Sequence, residues 1–550
     1  MSQEIDVLAG KPAPASILVD VDALLDAYFQ RQPDPSLPAQ RIHFGTSGHR
    51  GSSFRGSFNE WHILAITQAI CDWRQAHGLD GPLYLGRDTH ALSGPATDSA
   101  LQVLAANEVR TRVARGSEFT PTPAISHAIV THNRGRSSDL ADGIVVTPSH
   151  NPPDNGGFKY NPANGGPADT DITSWIEQRA NAYLQARLDG VHRVNLDAAN
   201  GAATTQTHDF LHRYVEDLQH VIDFDVIRAA GVRMAVDPLG GAGVDYWRVI
   251  AGRYGLDLTV VSEVVDPQFA FMTVDWDGQI RMDPSSPYAM QRLIGLKDRY
   301  DIAFACDTDH DRHGVVTRNA GLMAPNHYLS VLAHALFEQR EHWPAHAALG
   351  KTVVSTAMLD RVAKKLGRPL FEAPVGFKWF AQGLLETRLA FGCEESAGAS
   401  VLRRDGSPWT TDKDGIVPAL LAAEMTARAG RDPSDLYAAL EQELGTAHTG
   451  RVQARASAEQ KKKLAAITPE QLQLTDLAGE KVQALINRAP GNQQPIFGIK
   501  AVARNGWFAA RPSGTEDIYK VYAESFKDPA HLKRLLAQAQ EVVDRALGQP

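Results

Sequence analysis

The sequence predicts three similar mixed-sheet α/β domains followed by a smaller α+β domain at the C-terminus. The 550 residues are too many for one hydrophobic core, so several domains are expected. Apolar strand patterns alternate with helical patterns along most of the chain, which is typical of helices packed on a parallel or mixed sheet. Beyond Thr446 the alternation gives way to successive strand patterns and one closing helix.

Proline-rich stretches surround one short helical pattern, Val19 to Tyr28, at the start of the chain. We therefore expect residues 1–40 to form an N-terminal arm. The four domains that follow are expected at residues 41–202, 203–320, 321–445 and 446–550.

The first domain shows the alternation most clearly. "EWHILAITQAICDWRQAHG" has helical periodicity and stops at Gly78, and "LYLGRD" predicts a strand running into a turn. "SGPATDSALQVLAAN" predicts a helix, and "GIVVT" predicts a buried strand that leads into a polar loop.

The next two domains repeat this pattern. In the second, "VRMAVDPLGGAG", "DLTVVS" and "DIAFACD" predict strands, and a helix is expected near Tyr288 to Asp298. In the third, helices over "NHYLSVLAHALFEQR", "AMLDRVAKKLG" and "GIVPALLAAEMTARAG" alternate with strands over "KTVVST" and "RLAFG". In the fourth, "RVQARASAEQKKK" predicts a linker or domain edge, and a helix is expected at 530–547.

Composition narrows the class of protein. The net charge of -9 argues against a surface that coats nucleic acid, although local basic pockets for a small anion stay possible. The three scattered cysteines indicate no disulfide framework and fit a reducing compartment. The first residues lack the apolar core of a signal peptide, and no apolar run is long enough to cross a bilayer. We therefore expect a cytoplasmic enzyme without a nucleic-acid or membrane partner.

The loop after "GIVVT" is built around a serine. Pro148 and Pro152 restrain the backbone on either side of Ser149. His150 and Lys159 bring polar or positive groups near the hydroxyl, which suits a serine that carries or attacks an anionic group. The alternative is a turn in which serine and asparagine cap local amides.

A second loop, "ACDTDHDRHG", carries acids at alternate positions. Asp307, Asp309 and Asp311 would repel one another without a cation, and oxygen ligands favour a hard metal such as Mg²⁺. An EF-hand is excluded, because its sixth and twelfth positions require glycine and glutamate and here hold Arg312 and Arg318. A solvated acidic turn is the remaining alternative.

Two further loops suit a phosphorylated sugar. "GCEESAG" offers Glu394 and Ser396 to sugar hydroxyls, although Ser396 alone would equally suit a cap. "RPSGTED" offers a guanidinium, two hydroxyls and free amides, which is the chemistry of an anchored phosphate, or a plain turn. "FGTSGHRGS", with Arg50, and "YLGRDTH", with Arg87, add basic loops.

Taken together and in this order, "TPSHNP", "DTDHDR", "EES" and "RPSGTE" resemble the α-D-phosphohexomutase superfamily from about Arg41 to the C-terminus. "DPQFAFMTVDWDGQIRMD" and "SSPYAM" resemble its bacterial phosphoglucomutase branch. The resemblance implies four domains around a central cleft, each contributing one loop.

The resemblance also implies a role for each residue. Ser149 would be the phosphoserine and, with Asp307, Asp309 and Asp311, would bind Mg²⁺. Proton transfer or charge stabilisation is implied for Arg50, His150, Lys159 and Lys413. Substrate contacts are expected from Arg312, His313, Gly376, Lys378, Glu394, Ser396, Arg511, Ser513, Gly514 and Thr515.

One position departs from the family pattern. Relatives usually have glycine before the two glutamates, and this chain has Cys393. If the position needs a positive φ, cysteine would be strained there, unless Gly392 takes over the bend.

The implied activity is the interconversion of α-D-glucose 1-phosphate and glucose 6-phosphate. Ser149 would pass its phosphoryl group to the free hydroxyl, forming glucose 1,6-bisphosphate, and would take a phosphoryl group back after the intermediate turns round. Loose phosphoryl transfer needs positioning and positive charge, and a general base must accept the hydroxyl proton. Arginine is a poor base because its pKa stays above about 12. His150 and Lys413 are therefore the two candidates for the general base.

Other readings stay open. Mannose or glucosamine phosphates are alternative substrates, because sugar selectivity can rest on one or two hydrogen bonds. A metal-assisted phosphatase, or a non-catalytic protein that binds sugar phosphate or Ca²⁺, is an alternative further from the function that the resemblance implies. Relatives on the same branch suggest a homodimer through the N-terminal domain.

Overall fold

A computed structural model of the protein describes residues 5–45, 48–116, 118–472, 474–513 and 518–548. Within these ranges, main sheets of six, five, four and five strands follow one another along the chain. The first three sheets mix parallel and antiparallel pairs, and the fourth is antiparallel throughout. The predicted fold class is confirmed.

The N-terminal segment contacts two domains. Its helix, Val21–Gln30, begins at the cap Asp20 and packs the buried ring of Tyr28 on the first domain. The residues before it pair with the second domain, where Gly10 N donates to Val274 O and Val274 N donates to Lys11 O. The arm therefore ties these two domains together.

The first sheet places the serine loop beside the turn that follows a neighbouring strand. Its central strands run parallel, with Arg87 opposite Val146, so the chain leaves both at the same edge. From edge to edge the strands are His49–Ser52, Asn155–Asn161, Asp142–Val146, Leu83–Arg87, Thr111–Val113 and Thr205–Thr207. The helices are Glu60–Ala76, Ser93–Ala106, Thr122–Asn133, Thr170–Gln185 and Leu196–Gly201.

The second sheet carries the acidic loop between two antiparallel strands. From edge to edge its strands are Gly321–Leu322, His313–Thr317, Ile302–Cys306, Met234–Asp237 and Leu258–Val260. Its helices are Phe210–Asp217, Phe224–Ala230, Val244–Tyr254 and Gln291–Ile294. The last is shorter than the predicted helix near 288–298. Turns flank it: Ser286 Oγ accepts from Tyr288 N before it, and Leu296 N donates to Leu293 O after it.

The third sheet has four strands, in the order Leu370–Ala373, Ala348–Thr352, Leu389–Glu394 and Gly398–Val401. Its helices are Pro325–Gln339, Met358–Lys365, Lys378–Leu385, Ile416–Ala429 and Pro433–Leu444. The strand predicted over "KTVVST" ends early, at Thr352. A turn follows, in which Ser355 N donates to Thr352 O and the two side-chain hydroxyls bond to each other.

The fourth domain has its own core and a helix across its sheet. From edge to edge its strands are His448–Arg455, Ile518–Ser525, Gly506–Pro512, Pro495–Val502 and Ala484–Arg488. A small pair, Asp476–Leu477 and Glu480–Lys481, lies beside it. The helices are Ala458–Ala465, Pro469–Leu472 and Pro529–Leu547.

The segment "RVQARASAEQKKK" is predicted to be a linker or a domain edge, and the structure shows that it is not a linker. It is an edge strand and a helix that begins at a capping box between Ser457 and Gln460. Basic or polar residues alternate with apolar ones in this strand, because one face of an edge strand meets solvent.

Apolar packing joins the first three domains more closely than the fourth. One continuous cluster includes Ile129, Trp247, Phe304 and Leu420, which come from three domains. The fourth domain has a separate cluster around Phe508 and Val521. Among the described helices, none combines the length and the apolar character needed to cross a membrane.

Candidate active site

The acidic loop places three buried carboxylates together. Asp307, Asp309 and Asp311 follow the strand Ile302–Cys306, and one oxygen from each lies within 4.8 Å of the others. The loop turns back on itself because Asp307 Oδ1 accepts hydrogen bonds from the backbone N of Asp311 and of Arg312, at 3.1 and 3.0 Å.

These carboxylates fit a hard cation. Burial, together with Asp309 and Asp311, raises the pKa of Asp307 well above its ordinary value, so the cluster as it stands resists full ionisation. Oδ1 of Asp309 and Oδ1 of Asp311 are buried and lack a hydrogen-bond partner within the described structure. Carboxylate oxygens that lie close together without a hydrogen-bond partner are the ligands that a divalent cation such as Mg²⁺ prefers.

The serine loop meets this cluster. Ser149 lies in the left-handed region, at φ 59°, and its Oγ donates to Asp307 Oδ2 at 2.6 Å. The next residue, His150, places Nδ1 at 3.4 Å from the same Oγ. A serine hydroxyl and a cluster of carboxylates from different domains are therefore in direct contact.

Two ammonium groups approach the acids from other elements. Lys159 Nζ lies 2.6 Å from Asp309 Oδ2 and 3.3 Å from Asp311 Oδ2. Lys413 Nζ lies 3.1 Å from Asp311 Oδ2. Burial opposes the charge on Lys159, but the two acids outweigh it and raise the pKa of Lys159, which stays a cation.

Two guanidinium groups and a neutral histidine also lie at this site. Burial and the nearby Arg312 lower the pKa of Arg50, and acids led by Asp283 raise the pKa of Arg312 against the effect of burial. Burial, followed by the charge of Arg312, lowers the pKa of His150 to about 3, so its ring is neutral at pH 7.

Two cavities open onto this site and share Arg50 in their walls. One, of about 550 Å³, is also lined by Arg312, Glu394, Ser396 and Lys413. The other, of about 1010 Å³, lies between the first, second and fourth domains and is lined by His150, Asp283, Arg451 and Lys520 among others. Their size and polar walls suit a small anionic, hydroxylated molecule.

The loop of the third domain faces the smaller cavity. Glu394 Oε1 accepts from Gly376 N at 2.9 Å, and burial raises the pKa of the Glu394 carboxyl. Cys393 is buried within the strand Leu389–Glu394 and is not strained; the positive φ in this loop, 67°, belongs to Ala397. The anticipated cost of cysteine at this position is therefore absent.

The loop of the fourth domain is described in part. Arg511 lies next to the last residue of the strand Gly506–Pro512, opposite Lys520, and Ser513 N donates to Ile518 O at 2.9 Å. Gly514 and Thr515 lie outside the described residues.

Two predicted substrate contacts lie elsewhere. His313 is 2 % exposed, in a strand, with its ring edge-on to Tyr328 at 5.1 Å, and it lines neither cavity. We withdraw its predicted role, since its place after the acids made it look like part of their loop. Lys378 Nζ bonds to Thr170 Oγ1 at 2.6 Å and does not line the described cavities either.

The structure adds residues that the sequence did not reveal. Thr122 Oγ1 donates to Asp309 Oδ2 at 2.6 Å, and Asp283 lies on the cavity wall near His150. Burial opposes the charge on Asp283, but His150, when its ring is protonated, and Arg312 outweigh burial and lower the pKa of Asp283. The proline-bounded "TPTPA" could have marked Thr122, and "IRMDPSSP" contains Asp283, but neither stretch identifies a partner.

Comparison with known proteins agrees with this architecture. Family models described as Phosphoglucomutase/phosphomannomutase match in order: alpha/beta/alpha domain I at 41–187, domain II at 212–321, domain III at 324–444 and the C-terminal domain at 451–542. A Phosphoglucomutase from Komagataeibacter xylinus is 58% identical over 539 residues, covering 98% of this chain and 97% of that protein.

More distant relatives share the fold. Phosphoglucomutase 1 from Drosophila melanogaster is 28% identical over 395 residues, covering 68% of this chain and 67% of that protein. The open form of pp63/parafusin from Paramecium has a TM-score of 0.73 at 20% identity and covers 94% of this chain and 97% of its own. A putative phosphomannomutase from Thermus thermophilus has a TM-score of 0.71 at 23% identity, with 93% of this chain and 100% of that one covered. With four domain models matched in order over most of its length, the chain belongs to the phosphoglucomutase/phosphomannomutase family.

Proposed function

We infer that the protein is a phosphoglucomutase, which interconverts α-D-glucose 1-phosphate and glucose 6-phosphate through a phosphoserine and glucose 1,6-bisphosphate. The single observation that carries the site assignment is the contact of 2.6 Å between Ser149 Oγ and Asp307 Oδ2. The 58% identity to a phosphoglucomutase over nearly the whole chain supports the substrate.

In this proposal Ser149 carries the transferable phosphoryl group. The Oγ–P bond breaks as the free hydroxyl of the bound hexose phosphate forms its own bond to phosphorus, which leaves the bisphosphate and a free serine. After the bisphosphate turns round, Ser149 Oγ attacks its other phosphoryl group, and the product leaves. One site serves both ends of the sugar, and phosphoserine is restored in each turnover.

Charge near Ser149 supports this transfer. Phosphoryl transfer has a loose transition state, so catalysis depends on positioning and on positive charge around the phosphoryl oxygens. Arg50 and Lys159 provide fixed charge on the first domain, and Arg312 and Lys413 approach from the other side. Mg²⁺ held by Asp307, Asp309 and Asp311 would add Lewis-acid stabilisation of the phosphoryl group.

His150 is our choice for the proton acceptor. Its ring is neutral, and Nδ1 lies 3.4 Å from the atom at which transfer occurs. Lys159 is held as a cation by two acids, and Lys413 Nζ is 3.1 Å from Asp311 Oδ2. A weak neutral base suffices if the proton leaves the hydroxyl late in a loose transfer.

The distal parts of the substrate would be held by the third and fourth domains. Glu394 and Ser396 line the smaller cavity and suit sugar hydroxyls, with Gly376 N orienting Glu394. Arg511 and Ser513, with Gly514 and Thr515, would grip the phosphate that is not being transferred. A substrate contact from Lys378 stays part of the proposal, with the side chain bonded to Thr170 in this structure.

We divide the chain into an arm, 1–40, and four domains, 41–202, 203–320, 321–445 and 446–550. The family models fall within these limits to within a residue. Each proposed domain contains most of one main sheet, although one edge strand of the first sheet, Thr205–Thr207, and one of the second, Gly321–Leu322, lie just beyond the limits. A helical segment, 196–201, closes the first domain in this division.

A homodimer through the N-terminal region is part of the proposal. Much of the large exposed apolar surface lies there: Val7 is 81% exposed, Ile5 54% and Phe29 53%, with Leu37 and Phe54 nearby in sequence. Apolar patches of this kind favour association. Light scattering after gel filtration should give twice the chain mass, and Phe29→Asp with Val7→Asp should give the monomer. We place the protein in the cytoplasm, which suits its three free, buried cysteines.

The function is tested by following glucose 6-phosphate formation from glucose 1-phosphate with and without a trace of glucose 1,6-bisphosphate. A phosphoglucomutase should be stimulated by the bisphosphate, should release almost no inorganic phosphate, and should carry phosphate on Ser149 by mass spectrometry. Mannose and glucosamine 1-phosphates serve as controls. Faster turnover of either control would reassign the substrate, net phosphate release would indicate a phosphatase, and absence of turnover would leave a binding protein.

A further inference from the structure

A buried turn beside the serine loop links the nucleophile to the acidic loop. It comprises Asp88, Thr89 and His90 and follows the strand Leu83–Arg87. All three side chains are buried, and none lines either cavity that opens onto the site. They are therefore placed to act through other residues rather than on substrate.

The Asp88 carboxylate accepts hydrogen bonds from four donors. Oδ1 accepts from His90 N at 3.0 Å and from Ser93 Oγ at 2.5 Å. Oδ2 accepts from His90 Nδ1 at 2.8 Å and from Thr147 Oγ1 at 2.6 Å. A buried carboxylate with every bond direction used is rigid, because any movement leaves a donor unsatisfied.

His90 connects this carboxylate to the far side of the serine loop. Its Nδ1 faces Asp88, and its Nε2 lies 3.0 Å from Asn151 O. Both partners are acceptors, so each of these two hydrogen bonds requires a proton on the ring nitrogen.

Thr147 connects the same carboxylate to the near side of the loop. Its hydroxyl donates to Asp88 Oδ2 and accepts from Ser149 N at 2.8 Å. Ser149 itself has φ 59°, a conformation unfavourable for a residue other than glycine. The bonds at Ser149 N and at Asn151 O hold this conformation from both sides.

Thr89 reaches in the opposite direction, into the second domain. Its Oγ1 donates to Gly240 O at 2.7 Å. Two residues on, Ala242 N donates to Thr308 O at 2.7 Å, between the first two acids. One three-residue turn thus bonds to the serine loop on one side and, through a glycine-rich turn, to the acidic loop on the other.

We propose that Asp88, Thr89, His90 and Thr147 form a positioning bracket that sets the position of Ser149 Oγ against the carboxylates of the acidic loop. None of them contacts the reacting atoms. The proposal rests on the proposed role of Ser149. It goes further because it makes the rate of phosphoryl transfer depend on hydrogen bonds that lie outside the catalytic cleft.

The test uses paired substitutions that differ by a hydroxyl. Thr147→Val keeps the side-chain shape and removes the link between Asp88 and Ser149 N, whereas Thr147→Ser keeps the link. We expect kcat to fall about 10- to 100-fold in T147V, as for other groups that orient a reacting residue. KM for glucose 1-phosphate should change less than about threefold, because the sugar and distal phosphate are bound by other domains. T147S should restore most of kcat.

A second pair of substitutions tests the proposal in case T147V does not fold. Thr89→Val removes the bond to Gly240 O, and Thr89→Ser retains it; kcat should again fall in the valine variant and recover in the serine variant. Thermal unfolding of all four variants identifies those that are folded at the assay temperature. Equal kcat within either folded valine and serine pair would overturn the bracket.

The outcome is distinguishable from failure of the serine assignment. If wild-type protein carries no phosphate on Ser149, or if Ser149→Ala turns over normally, the proposed function of the loop fails. If Ser149 is phosphorylated and essential but the paired variants are equally fast, the bracket alone fails.

Discussion

Ser149 Oγ donates a hydrogen bond of 2.6 Å to Asp307 Oδ2 across 158 residues of sequence. The two residues come from different sheets, and each lies in a loop that follows a buried strand. Their contact joins two separate polar loops into the one site that we propose for phosphoryl transfer.

Loss of the Ser149 hydroxyl should abolish turnover. Ser149→Ala removes the atom that would carry the phosphoryl group, so we expect kcat to fall at least about 1,000-fold. Incubation with radiolabelled glucose 1,6-bisphosphate should label the wild type and leave the variant unlabelled. Ser434→Ala is the matched control, since that hydroxyl donates to Asp432, which caps a helix, and lines neither cavity. Normal turnover in Ser149→Ala would remove the serine from the mechanism.

Removing one charge from the acidic loop should weaken metal dependence. Asp309→Asn loses a carboxylate whose Oδ1 is unpaired and aimed at the cluster. We expect the Mg²⁺ concentration for half-maximal activity to rise at least about 100-fold. Titration of activity with MgCl₂ measures it, with Asp245→Asn on the exposed surface as the control. An unchanged titration curve would contradict the metal assignment.

A buried ion pair within the third domain should stabilise the fold and the contact of this domain with the second. Arg340 NH1 and NH2 each lie 2.9 Å from one oxygen of Glu424, and Glu424 Oε2 also accepts from Asp223 N. Arg340→Met leaves this carboxylate underpaired and should lower the free energy of unfolding by about 3–5 kcal/mol. Urea unfolding measures the loss.

The double variant Arg340→Met, Glu424→Leu is the informative partner of that experiment. It should lose less stability than Arg340→Met alone, because no charge is left buried. Arg388→Met, in an exposed pair with Glu386, should change stability by less than about 1 kcal/mol. A double variant as unstable as the single one would show that packing, rather than the unpaired charge, sets the cost.

The cysteines should be inert in the folded protein. Burial raises the pKa of the Cys71 thiol to about 12 and raises the pKa of Cys306 and Cys393 as well. Little thiolate forms at pH 8, so a disulfide reagent such as DTNB should react very slowly with native protein and with three thiols after denaturation. Fast reaction of one native thiol would contradict this burial.

Acid should weaken the contact of Asp217 with His127 and Arg403. Asp217 Oδ2 lies 2.8 Å from His127 Nε2 and 2.6 Å from Arg403 NH2; these partners outweigh burial and lower the pKa of Asp217. A lowered carboxyl pKa contributes stability that is present above the unfolded value, about 4, and is lost as pH falls below it.

Asp217→Asn should therefore be less stable than wild type at pH 7 and show a shallower loss of stability below pH 4. Urea unfolding between pH 3 and 7 measures both, with the exposed Asp225→Asn as the control. Parallel pH profiles for wild type and Asp217→Asn would contradict the role of this carboxylate.

Local chemistry along the sequence determined the domain succession, most strand and helix positions, and the residue types of the four loops. Strand patterns leading into Ser149 and into Asp307 place both at strand ends, where ligands gather in α/β sheets. The misjudged segments, 353–355 and 448–465, lie at an element end and at a domain edge, where side-chain hydrogen bonds and solvent exposure decide the conformation.

Tertiary structure alone decided which loops meet and which residues support them. His313 follows the acids in sequence yet lies in the core, because successive side chains of a strand point to opposite faces. Cys393 is unstrained because the bend falls at Ala397. The bracket of Asp88 and His90 could not be read from "GRDTH", since hydrogen bonds between distant segments depend on how the sheets pack, and no local pattern records that.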